Sequence, residues 1–191
     1  MTERVGEAYE LDEQLTILGR QLQAGDTAPD FALETFDPET QAIRVARLAD
    51  AGDRVRLLNV INSVDTPVCH IETRRWDGLR GDLPEEVVLF TISMDLPFAQ
   101  GRWRGAERVG HELLSAHKNE SFGQAYGVLV KEWRLLQRSV FVIDREDRIG
   151  YDDDVADQMA EPDYDAALAA VREAVDEPRG DGDVEPRGER W

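Results

Sequence analysis

The 191-residue sequence has a single cysteine, Cys69, and only two lysines, Lys118 and Lys131. One cysteine excludes an intrachain disulfide framework and a Cys-x-x-Cys dithiol, and it argues against a metal cage built on thiolates. No apolar run approaches the roughly 20 residues needed to cross a membrane. The start, Met1-Thr2-Glu3-Arg4, lacks the basic region and apolar stretch of a secretory signal. A cytoplasmic location is therefore the expectation. Positive charge is also scarce: 22 Lys and Arg face 40 Asp and Glu, for a net charge of −18. A chain this acidic argues against nucleic acid and anionic membrane as partners, because phosphate binding requires a basic face.

What is present suits one α/β domain, since the length allows a single substantial core but is short for two. From Val5 to Leu22, short apolar runs separated by polar residues predict an N-terminal β-hairpin. The runs Arg56–Ile61, Val87–Ile92 and Ser139–Ile143 predict buried strands, the last leading through Asp144–Asp147 into an edge strand over Arg148–Tyr151. Helices are expected at 67–80, where Pro67 suits a first turn, at 98–116 with a break at Gly105 or Gly110, and at 162–175. Strands alternating with helices imply a sandwich around a central sheet. Residues 1–175 would form the domain. Asp176 to Trp191, rich in Gly, Pro and charge, has one aliphatic residue, Val184, and predicts a disordered tail.

The chemistry-bearing segment is Asn62-Ser63-Val64-Asp65-Thr66-Pro67-Val68-Cys69. It puts the lone thiol just after a buried strand, in the first turn of a helix, where unpaired N–H groups and the helix dipole favour thiolate over thiol. Thr66, three residues earlier, can lie over the same turn and approach the sulfur. The residues alone leave two readings open. Cys69 is either a reactive nucleophile or a small buried hydrophobe with Thr66 as a helix cap.

The segment resembles the active-site loop of peroxiredoxins, specifically of their thiol peroxidase subfamily. That subfamily's pattern runs Pro-Ser-x-Asp-Thr-x-Val-Cys, and Ser63, Asp65, Thr66, Val68 and Cys69 match it in register. Further matches are Ser93-Met94-Asp95-Leu96-Pro97-Phe98-Ala99-Gln100, Gly25-Asp26 with Ala28-Pro29-Asp30-Phe31, Phe122 to Gly127, and Glu161-Pro162-Asp163-Tyr164. The resemblance covers about residues 5–175 in the correct order. It implies a thioredoxin-like sandwich with a central mixed sheet flanked by helices. It also implies thiol-dependent reduction of hydrogen peroxide and organic hydroperoxides through a cysteine sulfenic acid, without cofactor or metal. Cys69 would be the nucleophile, and Thr66 and Arg138 would stabilise charge on sulfur and peroxide. A homodimer is implied as well.

Two departures stand out. Asn62 occupies the place of the family's proline, which helps shield the sulfur. Arg104 occupies the place where thiol peroxidases usually carry their resolving cysteine. No internal disulfide can form, so an external thiol, thioredoxin or a low-molecular-weight thiol, would have to reduce the sulfenic acid. The same departures also fit an alternative, a redox sensor or interaction protein with weak turnover.

Other residues are expected to carry no chemistry. His70 should point away from its neighbour Cys69, because consecutive helical side chains diverge by roughly 100°. His111 and His117 are expected to be exposed or to cap helices. Asp152-Asp153-Asp154 with Asp157 reads as a solvated acidic loop rather than a calcium loop. Trp76, Trp103 and Trp133 fit either the core or an interface.

Overall fold

The computed structural model describes residues 2–177. The chain opens with the expected hairpin, β1 (Glu3–Glu10) and β2 (Glu13–Leu18). A second hairpin follows, β3 (Ala32–Asp37) with β4 (Ala42–Arg47). Next come β5 (Val55–Val60), α1 (Pro67–Leu79), β6 (Val87–Ser93), α2 (Pro97–Glu107) and β7 (Glu112–Ser115). The remainder is α3 (Ser121–Ala125), β8 (Leu129–Val130), β9 (Leu135–Leu136), β10 (Ser139–Ile143), β11 (Ile149–Asp154) and α4 (Tyr164–Asp176).

Seven strands form a mixed sheet in the order β11-β10-β5-β6-β7-β3-β4, in which β5, β6 and β7 run parallel and the other pairs antiparallel. Every residue of β5 and of β10 is buried, as befits strands covered on both faces. One face carries Val55, Leu57, Leu89, Val140 and Val142 against Trp76 of α1 and Tyr164, Ala167 and Val171 of α4. Trp103 of α2 joins Ile61, Val64, Leu113 and Cys69 in a smaller cluster nearby. The opposite face, through Leu58, Val60, Ile92 and Phe141, packs on Phe31, Phe122, Tyr126 and Leu129. There the cover is mostly β: β1, β2, β8 and β9 form a second, antiparallel sheet, with only the short α3 beside it. Each fully buried Leu, Val or Phe in these layers contributes about 1.5–3 kcal/mol of transfer free energy.

Three expectations need correction. The helix expected over 98–116 ends at Glu107, where Arg108 turns left-handed at φ 58°, and Glu112–Ser115 becomes a strand parallel to β6. A short apolar pair such as Leu113-Leu114 fits either state, and the open edge of β6 decides it. The acidic run Asp152–Asp154 is no loop; it is the paired end of β11. Asp154 lies near Arg4 of the hairpin, and burial raises it above the usual carboxylate range, to about 6. His111 is neither exposed nor a cap. It is buried, with Nε2 2.8 Å from Thr91 Oγ1 and Nδ1 3.3 Å from Asp77 Oδ1. Trp76 and Trp103 are core residues, and Trp133 packs on the cluster of Ala8, Leu15, Ile17 and Val130. Within the expected tail, Asp176 closes α4, and residues 178–191 lie outside the described residues. Among the described residues no helix is long and apolar enough to cross a membrane.

Candidate active site

The backbone leaves β5 with the Ile61 N–H donating to Ile92 O at 2.9 Å, so the chain is still tied to β6 as it enters the loop before α1. That loop is fixed from outside. The Asp95 carboxylate accepts the Ser63 hydroxyl at 2.7 Å, the Val64 N–H at 2.9 Å and the Ser93 hydroxyl at 2.7 Å. Asp95 belongs to the second matched stretch, and its side chain gives that stretch a physical task.

Thr66 then occupies the N-cap position of α1, with extended φ and ψ of −87° and 143°. Its hydroxyl does not cap the helix. It donates to Ser63 O at 2.9 Å, leaving the oxygen lone pairs free to accept. Pro67 takes the first helical position, as the sequence suggested, and the first intrahelical bond runs from His70 N–H to Thr66 O at 2.9 Å. Cys69 thus sits in the turn whose N–H groups have no intrahelical acceptor and where the dipole is positive. His70 faces away from the sulfur, accepting from Trp103 Nε1 at 3.2 Å.

Arg138, just before β10, reaches the sulfur from the other side. Its Nη2 donates to Cys69 Sγ at 3.1 Å. Three further donors hold the guanidinium: Nε to Glu72 Oε2 at 2.6 Å, and Nη1 to the carbonyls of Ala160, at 2.9 Å, and Gln158. Cys69, Glu72 and Arg138 are all fully buried. Burial works against the charge on Arg138, yet the Glu72 carboxylate and the Cys69 sulfur outweigh it and raise its proton affinity. Burial pushes Glu72 above the usual carboxylate range, while Arg138 pulls it back. Of this pair the guanidinium is the member that stays charged, because its intrinsic basicity is far higher. Arg138 thus makes both an ion pair with Glu72 at the end of the strand and a direct contact with the sulfur.

Asn62 completes the ring. Its Nδ2 donates to Leu136 O at 2.6 Å and to Gln158 Oε1 at 3.0 Å, and its Oδ1 accepts from Cys69 Sγ at 3.7 Å. Glu10, Asn62, Thr66, Pro67, Val68, Arg138, Gln158 and Met159 line a cavity of about 120 Å³, of which Asn62 and Arg138 also touch the buried sulfur. Arg104 lies apart from this cavity. Its Nε and Nη2 donate to the carbonyls of Val109 and Gly110, both at 3.2 Å, bracing the turn after α2.

Of the three expected residues, Arg138 contacts the Cys69 sulfur directly, and Thr66 shares the wall of a cavity with Arg138. Glu72 and Gln158 were not foreseen. A glutamate three residues past a helical cysteine shares its face, which is a signal for Glu72; Gln158, 89 residues further on than Cys69, had none. Among the described residues, Asp144, Glu146 and Glu177 are the one grouping close enough to share a cation, and they lie beyond the far end of β10.

A sequence model of the AhpC/TSA family matches residues 24–152. A thiol peroxidase of Streptococcus sanguinis is 44% identical over 163 residues, spanning 85% of this chain and 96% of its own. A thiol peroxidase of Bacillus subtilis is 41% identical over 162 residues, 84% of this chain and 93% of its own. Among solved structures, a peroxiredoxin-like protein from Aquifex aeolicus superposes with a TM-score of 0.76 at 29% identity, covering 87% of this chain and 96% of that one. A thiol peroxidase from Chromobacterium violaceum superposes at 0.74 with 23% identity over 91% and 98%, a likeness of fold.

Proposed function

Because this chain belongs to the AhpC/TSA family, we propose that it is a thiol-dependent peroxidase in which Cys69 attacks hydroperoxides. The observation that carries the reading is the Arg138 Nη2 to Cys69 Sγ contact of 3.1 Å, in a buried site whose Arg138 and Asn62 also line a small cavity. The thiolate attacks the terminal peroxide oxygen, forming an S–O bond as the O–O bond breaks. The electron pair leaves on the second oxygen, which takes a proton and departs as water or an alcohol. Negative charge spreads over sulfur and both oxygens on the way. Arg138 meets it with a fixed, always-protonated donor array, one Nη2 N–H on sulfur and the other turned to the substrate. Thr66, its proton committed to Ser63 O, accepts the hydrogen of the attacked peroxide oxygen.

The cavity admits hydrogen peroxide and small alkyl hydroperoxides; Pro67, Val68 and Met159 supply an apolar edge for the alkyl part. With arginine at position 104, the cycle closes through an external thiol. That thiol attacks the sulfenic sulfur, water leaves, and a second thiol releases Cys69 from the mixed disulfide. Thioredoxin and low-molecular-weight thiols are the candidate reductants, in a cytoplasm that keeps them reduced. A homodimer belongs to the same reading, since Ile71, Leu96 and Phe98 on the elements framing the site are exposed and a second copy would cover them.

Stopped-flow mixing of the reduced protein with hydrogen peroxide and cumene hydroperoxide tests the proposal. Oxidation orders of magnitude faster than a free thiol, abolished in Cys69→Ser, is the expected result. A rate no higher than that of a free thiol sinks it. Rapid sulfenic acid formation with no turnover by any thiol would instead favour the sensor.

A further inference from the structure

Asn62 stands where the resemblance expects proline, and the role of the residue follows from how its amide is held. Both Nδ2 hydrogens are engaged, by Leu136 O at 2.6 Å and Gln158 Oε1 at 3.0 Å. Gln158 is itself fixed, because its Oε1 also accepts the Arg138 backbone N–H at 2.9 Å while its Nε2 donates to Val155 O. A flip of either amide would set donors against donors and carbonyls against a carbonyl oxygen, so the network assigns both orientations. Asn62 is buried, and the group it turns to Cys69 Sγ, at 3.7 Å, is a pure acceptor.

We infer that Asn62 is a catalytic residue of the oxidised half of the cycle: its Oδ1 accepts the hydroxyl of the Cys69 sulfenic acid and keeps that intermediate protonated. The inference rests on the peroxidase reading of Cys69. A sulfenic hydroxyl attached to sulfur, donating along a hydrogen bond of ordinary length (about 2.7–2.8 Å), spans the 3.7 Å from Sγ to Oδ1 with a bent angle at its oxygen, as an O–H donor requires. Proline at this position has no side-chain acceptor to offer.

The consequence concerns damage. A sulfenic acid becomes sulfinic acid when its deprotonated form attacks a second hydroperoxide: a second S–O bond forms, the O–O bond breaks, and the alkoxide takes a proton and leaves as an alcohol. Holding the proton on the sulfenic oxygen disfavours that attack. It leaves the sulfur electrophilic toward an incoming thiol, which expels the same oxygen as water. In a chain with no cysteine at 104 the intermediate must outlast the search for an outside thiol. Arg138, the positive group facing the sulfur, and Glu72 behind it are common to both steps; the amide of Asn62 separates them.

The test compares wild type with Asn62→Ala and Asn62→Pro, following first oxidation by stopped flow and the sulfinic product by intact-mass spectrometry under excess hydrogen peroxide without thiol. In both variants the second oxidation should run about tenfold faster than in wild type, the size of one lost hydrogen bond. A second-oxidation rate within twofold of wild type, with the sulfenic acid formed, overturns the inference and leaves the peroxidase reading standing. If wild type forms no sulfenic acid, both fall. Should the variants fail to fold, the wild-type protein with an isotope-labelled Asn62 side-chain carbonyl carbon supplies the answer by NMR. A downfield shift on conversion to the sulfenic acid supports the hydrogen bond, and an unchanged resonance overturns it.

Discussion

The Asp95 carboxylate and the Ser63 hydroxyl lie 2.7 Å apart, so a residue just past the end of β6 holds the loop from which the cysteine helix springs. Asp95 also takes the Val64 N–H and the Ser93 hydroxyl, while Ser63 O receives the Thr66 hydroxyl. Thr66 is thus placed through Ser63 by a side chain 29 residues further along the sequence. Misplacing a catalytic group by about 1 Å costs on the order of 100-fold in rate. Asp95→Ala should therefore slow peroxide oxidation by about 10- to 100-fold and lower stability by about 1–3 kcal/mol, from the hydrogen bonds left unmade. Stopped-flow rates and urea melts of the variant check both, and a wild-type oxidation rate would show that the loop holds itself.

Arg138→Lys is expected to slow the same step by about 100- to 1000-fold, the usual cost of losing a preorganised donor to a developing charge. A lysine has no planar fork with which to meet Glu72, two carbonyls and a sulfur at once. Glu72→Gln, which keeps an acceptor near Nε without the charge, should fall between wild type and Arg138→Lys. Equal rates for all three would remove the pair from the mechanism.

His111 gives a pH signature of stability. Burial lowers it to about 4, with Asp77 pulling the other way. In the unfolded chain a histidine titrates near 6.5, so between these values the unfolded chain binds the extra proton. The stabilisation is full above about pH 6.5 and is lost as pH falls toward 4, by an amount on the order of 3 kcal/mol. Melting temperatures of wild type and His111→Gln across this range should differ in slope, with the variant flatter. Parallel curves would show that His111 does not titrate as its burial dictates.

Gly127 is a backbone requirement. Its φ is +66°, and a Cβ there would run into the carbonyl of Arg20. Gly127→Ala should cost about 2 kcal/mol or more, through strain and a displaced second sheet. Chemical denaturation measures it, and a loss below about 0.5 kcal/mol would mean that the Arg20 segment yields freely.

The parts of the fold that were readable in advance are those where burial leaves a mark on composition. Val55–Val60, Val87–Ser93 and Ser139–Ile143 are covered on both faces and so are nearly unbroken apolar runs. The hairpin of β3 and β4 mixes Glu34, Asp37, Arg44 and Arg47 with its apolar residues on both faces and leaves no such mark. Glu112–Ser115 reads as helix in the sequence because four residues cannot display a period, and only the edge of β6 selects the strand. At the site, the spacing puts Thr66 and Cys69 on one turn but leaves their roles open, and likeness to a family supplies them. Arg138 was visible only through likeness to a family. The Glu72 partnership and the Gln158 brace depend on which chain ends the sheet brings together, and local pattern does not encode that.

Arg104 spends its donors on the carbonyls of Val109 and Gly110, at the turn where α2 gives way to β7. A position that elsewhere supplies a second sulfur here tightens a corner. With one cysteine in the chain, the proposed cycle has no internal disulfide-forming step. Recycling by that cycle should then speed up with the amount of reducing thiol around the enzyme. On the proposed cycle, the lifetime of the oxidised state would follow the reductant supply of its surroundings.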